Sequence, residues 1–167
     1  MKNAVQSRET LQVSTPSDRE IAMTRVFNAP RALVFDAYTR PELLKRWLGV
    51  HNNWILAVCE IDLRKGGAYR YVWRGPNGEE MGMRGTFREV EPPARLVTDE
   101  KFDQAWYEGQ CIGTVTFVEK AGKTTLTMNL KYDSKKIRDA VLQSPMKGGV
   151  EIGFDTLEQV LASLPTR

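Results

Sequence analysis

The sequence predicts an α+β domain in which a curved antiparallel sheet of about six or seven strands wraps a long C-terminal helix. Three observations carry that prediction. Strand-like segments follow one another from Trp54 to Tyr132 with only short turn signals between them. An apolar stripe at helical spacing runs from Met146 to Leu164. Ahead of the meander, a first strand leads directly into two short helices.

Taken in order, residues 1–18 are polar and end in Ser14-Thr15-Pro16-Ser17-Asp18, which reads as an arm with one short strand at Thr10–Val13. The domain proper is expected over 19–167. Glu20–Phe27 alternates loosely and predicts a strand. Asn28-Ala29-Pro30 then predicts a helix over Arg31–Tyr38, with Asn28 as its cap and Pro30 in its first turn. Thr39-Arg40-Pro41-Glu42 has the form of a capping box, and Gly49 marks the end of the second helix. Strands are predicted over Trp54–Leu63, Ala68–Arg74, Glu80–Val90, Arg95–Phe102, Gln110–Glu119 and Thr124–Tyr132. Gly66-Gly67, Pro76-Asn77-Gly78, Pro92-Pro93 and Ala121-Gly122 punctuate them, and such short links favour an antiparallel meander. Ser134 caps a short helix, and Ser144-Pro145 opens the last one, which Pro165 stops.

Composition narrows the function classes. The chain has 167 residues, 41% apolar and 27% charged, with a formal net charge of +3. The basic residues are scattered, with pairs such as Arg64-Lys65 rather than the stripe of a nucleic-acid binder. No run reaches the roughly 18 apolar residues of a bilayer span. Cys59 and Cys111 fall in strand-like segments and suit a reducing compartment as free thiols, so a cytoplasmic protein without a leader is expected.

The last helix carries Gly148, Gly149 and Gly153 in its first half. Each costs about 1 kcal/mol relative to Ala in a helix interior. They leave room beside the helix or permit a bend; a frayed first turn or close helix–sheet packing are the competing readings. Tyr69, Tyr71 and Trp73 alternate with Arg70, Val72 and Arg74, which puts three aromatics on one strand face. Met83 and Phe87 continue that row on the next strand, and Trp47, Trp54, Phe102 and Trp106 add to the aromatic supply. Plain core and pocket lining both accommodate this pattern. The excess of large, flexible and aromatic side chains favours a pocket for an apolar ligand, with His51, Met146, Val150, Gly153 and Phe154 as further lining candidates.

Recognised chemistry is scarce. His51 is the single histidine, and Glu60 and Asp62 share a strand face without a third ligand, so neither a metal nor any other cofactor is expected. No phosphate-binding glycine loop, nucleophile elbow or triad pattern appears, and no catalytic residue is assigned.

Several segments, in order, resemble a known family. They are Thr24-Arg25-Val26-Phe27-Asn28-Ala29-Pro30, Pro41-Glu42-Leu43-Leu44-Lys45-Arg46-Trp47, Cys59-Glu60-Ile61-Asp62, Gly66-Gly67-Ala68-Tyr69-Arg70-Tyr71, Gly75-Pro76-Asn77-Gly78 and Pro92-Pro93-Ala94-Arg95-Leu96-Val97. Together they closely resemble bacterial proteins named for similarity to the C-terminal domain of the activator of Hsp90 ATPase. Those proteins belong to the START-like (SRPBCC, helix-grip) superfamily, with pollen allergens, lipid-transfer domains and aromatic polyketide cyclases. The resemblance implies a β-α-α-β(6)-α order and a cavity between sheet and last helix, but little about chemistry, because fold does not fix function. The expectation is a noncatalytic binding protein for a small apolar or amphipathic molecule, with no nucleic-acid partner and no membrane insertion. A cyclase- or aromatase-like enzyme and a chaperone-associated stress protein are the alternatives, and homodimerisation is left open.

Overall fold

The structure is a computed structural model that describes residues 10–165; residues 1–9 of the expected arm, with 166–167, lie outside the described residues. Eight strands form one antiparallel sheet: β1 (Gln12–Ser14), β2 (Glu20–Phe27), β3 (Ile55–Ile61), β4 (Ala68–Arg74), β5 (Glu80–Glu91), β6 (Arg95–Phe102), β7 (Cys111–Lys120) and β8 (Lys123–Lys131). Their spatial order is β1-β2-β8-β7-β6-β5-β4-β3. The meander is as expected. The sheet exceeds the expected six or seven strands because the arm contributes β1, which pairs with β2 from Gln12↔Thr24 to Ser14↔Ala22.

Helices α1 (Arg31–Thr39) and α2 (Pro41–Leu44) follow β2, and α3 (Lys135–Leu142) and α4 (Met146–Ser163) close the chain. Two capping expectations fail. Pro30 takes the N-cap position of α1, so Asn28 lies too far upstream to cap it; its amide instead donates to Glu158 on α4. The Thr39 hydroxyl donates back to the Phe35 carbonyl at 2.8 Å, which removes it from a capping box; Arg40 caps α2 without a side-chain bond. Thr39 still belongs to the preceding helix, and its hydroxyl takes the acceptor one turn back. Ser134 does cap α3, accepting from the Ile137 amide at 3.1 Å.

Two bulges steer the inward row. Register shifts lie between Leu56 and Val58 and between Phe87 and Glu89. Each inserts one residue and reverses the parity, so Leu56 and Cys59 both face inward across the first, as Phe87 and Val90 do across the second. One end of the interior is densely filled. Phe27 meets Phe154 edge-on at 5.4 Å, Phe35 meets Phe117 at 5.4 Å, and Leu157, Leu126 and Val34 have no exposed surface. An Arg25–Asp155 ion pair at 2.7 Å ties β2 to α4 across this end.

Candidate functional site

The other end of the interior is hollow. A partly enclosed cavity of about 560 Å³ lies between the sheet, the α2 region and the first half of α4. Native interiors pack at a density of about 0.75 with few voids larger than a water molecule. A space of this size is therefore not packing slack, and it falls within the roughly 300–1,000 Å³ of small-molecule sites.

The lining is built strand by strand. β4 contributes Tyr69, Tyr71 and Trp73, whose alternation puts all three on the cavity face. β5 adds Met81, Met83 and Phe87, and β6 adds Leu96, Thr98, Glu100 and Phe102. Trp47, Leu48, Gly49, His51 and Trp54 come from the segment after α1, and Met146, Gly149, Val150, Gly153 and Phe154 from α4. The indole nitrogens of two tryptophans are satisfied within the protein: Trp47 donates to the Ala37 carbonyl and Trp73 to the Leu48 carbonyl, both at 2.9 Å. Their rings are thus held as walls. Gly49, at φ +70°, lies so close to Trp73 that a side chain there would strike the indole.

Every residue singled out from the sequence as pocket lining, except one, borders this cavity: Trp47, His51, Trp54, Tyr69, Tyr71, Trp73, Met83, Phe87, Phe102, Met146, Val150, Gly153 and Phe154. Trp106 does not. It is 54% exposed in the loop between β6 and β7, edge-on to Tyr107 at 5.2 Å. Its loop has no period from which a direction could be read. Of the helix glycines, Gly149 and Gly153 border the cavity and Gly148 does not; Gly148 and Gly149 are both exposed and Gly153 is buried. A methyl group built on Gly149 would meet no atom within 4 Å, and one on Gly153 would meet only the Trp47 ring, at 4.0 Å. Close helix–sheet packing is thereby excluded as the reason for these glycines.

Sequence reasoning missed Glu100. The signal was available: Glu100 shares strand parity with Leu96, Thr98 and Phe102. It is a carboxyl inside an apolar, aromatic chamber. Burial pushes its pKa up to about 7, against a hydrogen bond from the Cys111 thiol that lowers it and the nearby Asp99 charge that raises it further. No cation pairs with it among the described residues. Burial also pushes the Cys111 thiol and the Tyr69, Tyr71, Tyr107 and Tyr132 phenols upward, so all stay protonated.

The backbone ladder is interrupted beside Glu100. The β5–β6 ladder lapses between Arg84↔Lys101 and Phe87↔Thr98. The Asp99 carboxylate fills the gap, accepting from the Thr86 amide at 2.9 Å and its hydroxyl at 2.5 Å. The Tyr69 ring crosses Gly85 to donate to the Asp99 carbonyl at 2.8 Å, and any side chain at Gly85 would collide with that carbonyl. Tyr69 and Glu100 consequently border both the inner cavity and an outer groove lined by Glu60, Asp62, Arg70 and Arg84.

Other chemistry finds little footing. The His51 ring borders the cavity, but no side chain hydrogen-bonds to orient it among the described residues. No group of three His, Cys, Asp or Glu side chains converges for a metal ion among the described residues. Cys59 and Cys111 are free and buried. Among the described residues, no helix is long and apolar enough to cross a membrane.

A curved sheet gripping a long helix around an interior cavity defines the helix-grip class. Within it, the chain belongs to the Activator of Hsp90 ATPase homolog 1-like protein family, whose model matches residues 28–162. A crystal structure of a Rhodobacter sphaeroides protein is similar at 32% identity and TM-score 0.87, covering 92% of this chain and 99% of that one. A Mycobacterium smegmatis protein (23% identity, TM-score 0.80, 93% and 98% covered) shares the fold. So does one from Nitrosomonas europaea (24% identity, TM-score 0.77, 89% and 97% covered). No functionally curated protein matches the chain.

Proposed function

We propose that this protein is a noncatalytic binding protein that holds one small apolar or amphipathic molecule between the sheet and α4. The observation that carries the reading is the cavity of about 560 Å³, lined by aromatic and methionine side chains, at a place where glycine replaces larger helix residues. Tryptophan walls fixed by hydrogen bonds give a preformed site, which lowers the ordering cost of binding. The family and its fold are compatible with this use.

A catalytic pocket of the cyclase kind is the second reading, and Glu100 is the observation in its favour, because a carboxyl that titrates near neutrality suits proton transfer. A link to Hsp90 rests on the family description alone.

The test is native mass spectrometry of the protein purified from its own cells. The proposal expects a small molecule that travels with the folded chain and is released by organic solvent. A uniformly empty protein that also fails to take up neutral apolar probes would contradict it. Turnover of the captured molecule, lost on Glu100→Gln, would favour the enzyme reading.

A further inference from the structure

We propose that the inner pole of the cavity recognises a basic nitrogen, so that the ligand is an amphipathic amine whose ammonium group pairs with Glu100 while its apolar body lies among the aromatic walls. This inference rests on the binding function proposed above and names its ligand class.

The argument begins with an imbalance. Glu100 lines the cavity on β6, and its Oε1 lies just over the Gly113 backbone. The groups around it are known from every element packed there. β4 presents Tyr69 and Tyr71, α1 presents Tyr38, β6 itself carries Asp99, and β7 presents Cys111. Tyr132 follows β8, and Tyr107 approaches from the β6–β7 loop. The basic groups nearby, Arg70, Arg84 and Lys101, border the outer groove rather than the cavity. Arg70 and Arg84 are already committed to Asp103, at 2.5 and 2.6 Å. Apart from His51, on the segment after α2, the chamber therefore holds a carboxyl and several phenols and no lysine or arginine among the described residues.

A buried carboxyl without an opposite charge is destabilising when ionised and is stabilised by a cation brought into the same low-dielectric space. Aromatic rings add attraction for a cation held over their faces, and Tyr69, Tyr71, Trp73 and Phe102 supply those faces. The Tyr38 and Tyr71 hydroxyls make no hydrogen bond to protein among the described residues and are free to meet the head group. An anionic head would meet like charge at this pole. A neutral alcohol would use the hydroxyls but gain nothing from the carboxylate. Glu100 also borders the outer groove, which gives its carboxyl a second approach for proton exchange with solvent.

The test compares decylamine, decanol and decanoate by calorimetry at pH 8, on wild type and Glu100→Gln. The expected result is that decylamine binds wild type about tenfold or more tightly than decanol, with decanoate the weakest. Glu100→Gln should lose that preference, so that decylamine and decanol bind the variant within about twofold of each other. Equal binding of amine and alcohol to wild type, or an amine preference that survives in Glu100→Gln, would overturn the inference and leave the apolar site intact. If none of the three binds, the binding proposal falls with it. A carbon-13 titration of the Glu100 carboxyl in wild type gives a check that needs no variant. Saturating decylamine should lower its midpoint by about one pH unit or more and decanol should not; an unchanged or raised midpoint with bound amine would overturn the inference.

Discussion

Helix α4 crosses two different interiors. Its second half, with Leu157, Val160 and Leu161, presses into a filled core of phenylalanine and aliphatic side chains. Its first half, with Met146, Gly149, Val150 and Gly153, faces open space walled by tryptophan and tyrosine. Phe154 divides them, touching Phe27 on one side and Trp47 at 6.3 Å on the other. One helix on one sheet thus borders core at one end and cavity at the other. The comparison teaches that the hollow end is built by choosing glycine on the helix and rigid rings on the strands, not by loosening the fold.

Truncation should separate the two ends most sharply. Leu157→Ala, in the filled end, should cost about 3–5 kcal/mol. Met83→Ala, which removes atoms already facing a void, should cost about 1 kcal/mol or less while weakening binding of an apolar dye. Urea denaturation measures both, and equal losses would erase the distinction. Trp73→Ala belongs with the larger effects, about 3 kcal/mol, because its ring also braces Gly49 and its nitrogen holds Leu48.

Glu100 should make the hollow end pH-sensitive. Its folded pKa is raised from the usual carboxyl range to about 7, so between those values the folded state holds a proton that the unfolded state has released. Stability should therefore fall as pH rises from about 4.5 to about 7 and level off above, by up to about 3 kcal/mol. Glu100→Gln removes the penalty. It should match wild type near pH 4 and exceed it by that amount at pH 8. Denaturation midpoints that run parallel across this range would refute the buried-carboxyl account.

The glycines give a smaller effect of opposite sign. Gly149→Ala with Gly153→Ala should stabilise by up to about 2 kcal/mol and weaken binding of a large apolar probe. Gly148→Ala, facing solvent, should stabilise by about 1 kcal/mol and leave binding unchanged. A fall in melting temperature for the double variant would contradict the open space beside α4. The smallest effect is expected at His51: replacement by Ala should change stability by about 0.5 kcal/mol or less and leave apolar binding intact.

Much of this layout was legible in the residues. Period-two alternation placed Tyr69, Tyr71 and Trp73 together, and the helical stripe placed Met146, Val150 and Phe154 opposite them. The same alternation extends from Leu96, Thr98 and Phe102 to Glu100, but a search for apolar and aromatic lining leaves a charged residue out. Trp106 was misplaced because a loop supplies composition without direction. The contributions of Val115, Met128 and Leu130 depend on how far the sheet curls, which no local pattern encodes. The two cap errors have different causes: α1 is capped at Pro30, two residues beyond Asn28, and the Thr39 hydroxyl takes the Phe35 carbonyl one turn back.

The central claim is that the hollow end is a binding site. Its most direct test is a titration with a neutral apolar dye, Nile red, followed through tryptophan emission, since Trp47, Trp54 and Trp73 border the cavity. Wild type is compared with Gly153→Leu, whose side chain would extend into the space beside Trp47. The account predicts saturable binding of one dye per chain with quenched tryptophan emission. The leucine variant should melt no lower than wild type and lose about tenfold or more in affinity. Absence of saturable binding to wild type, or unchanged affinity in a folded Gly153→Leu variant, would contradict it.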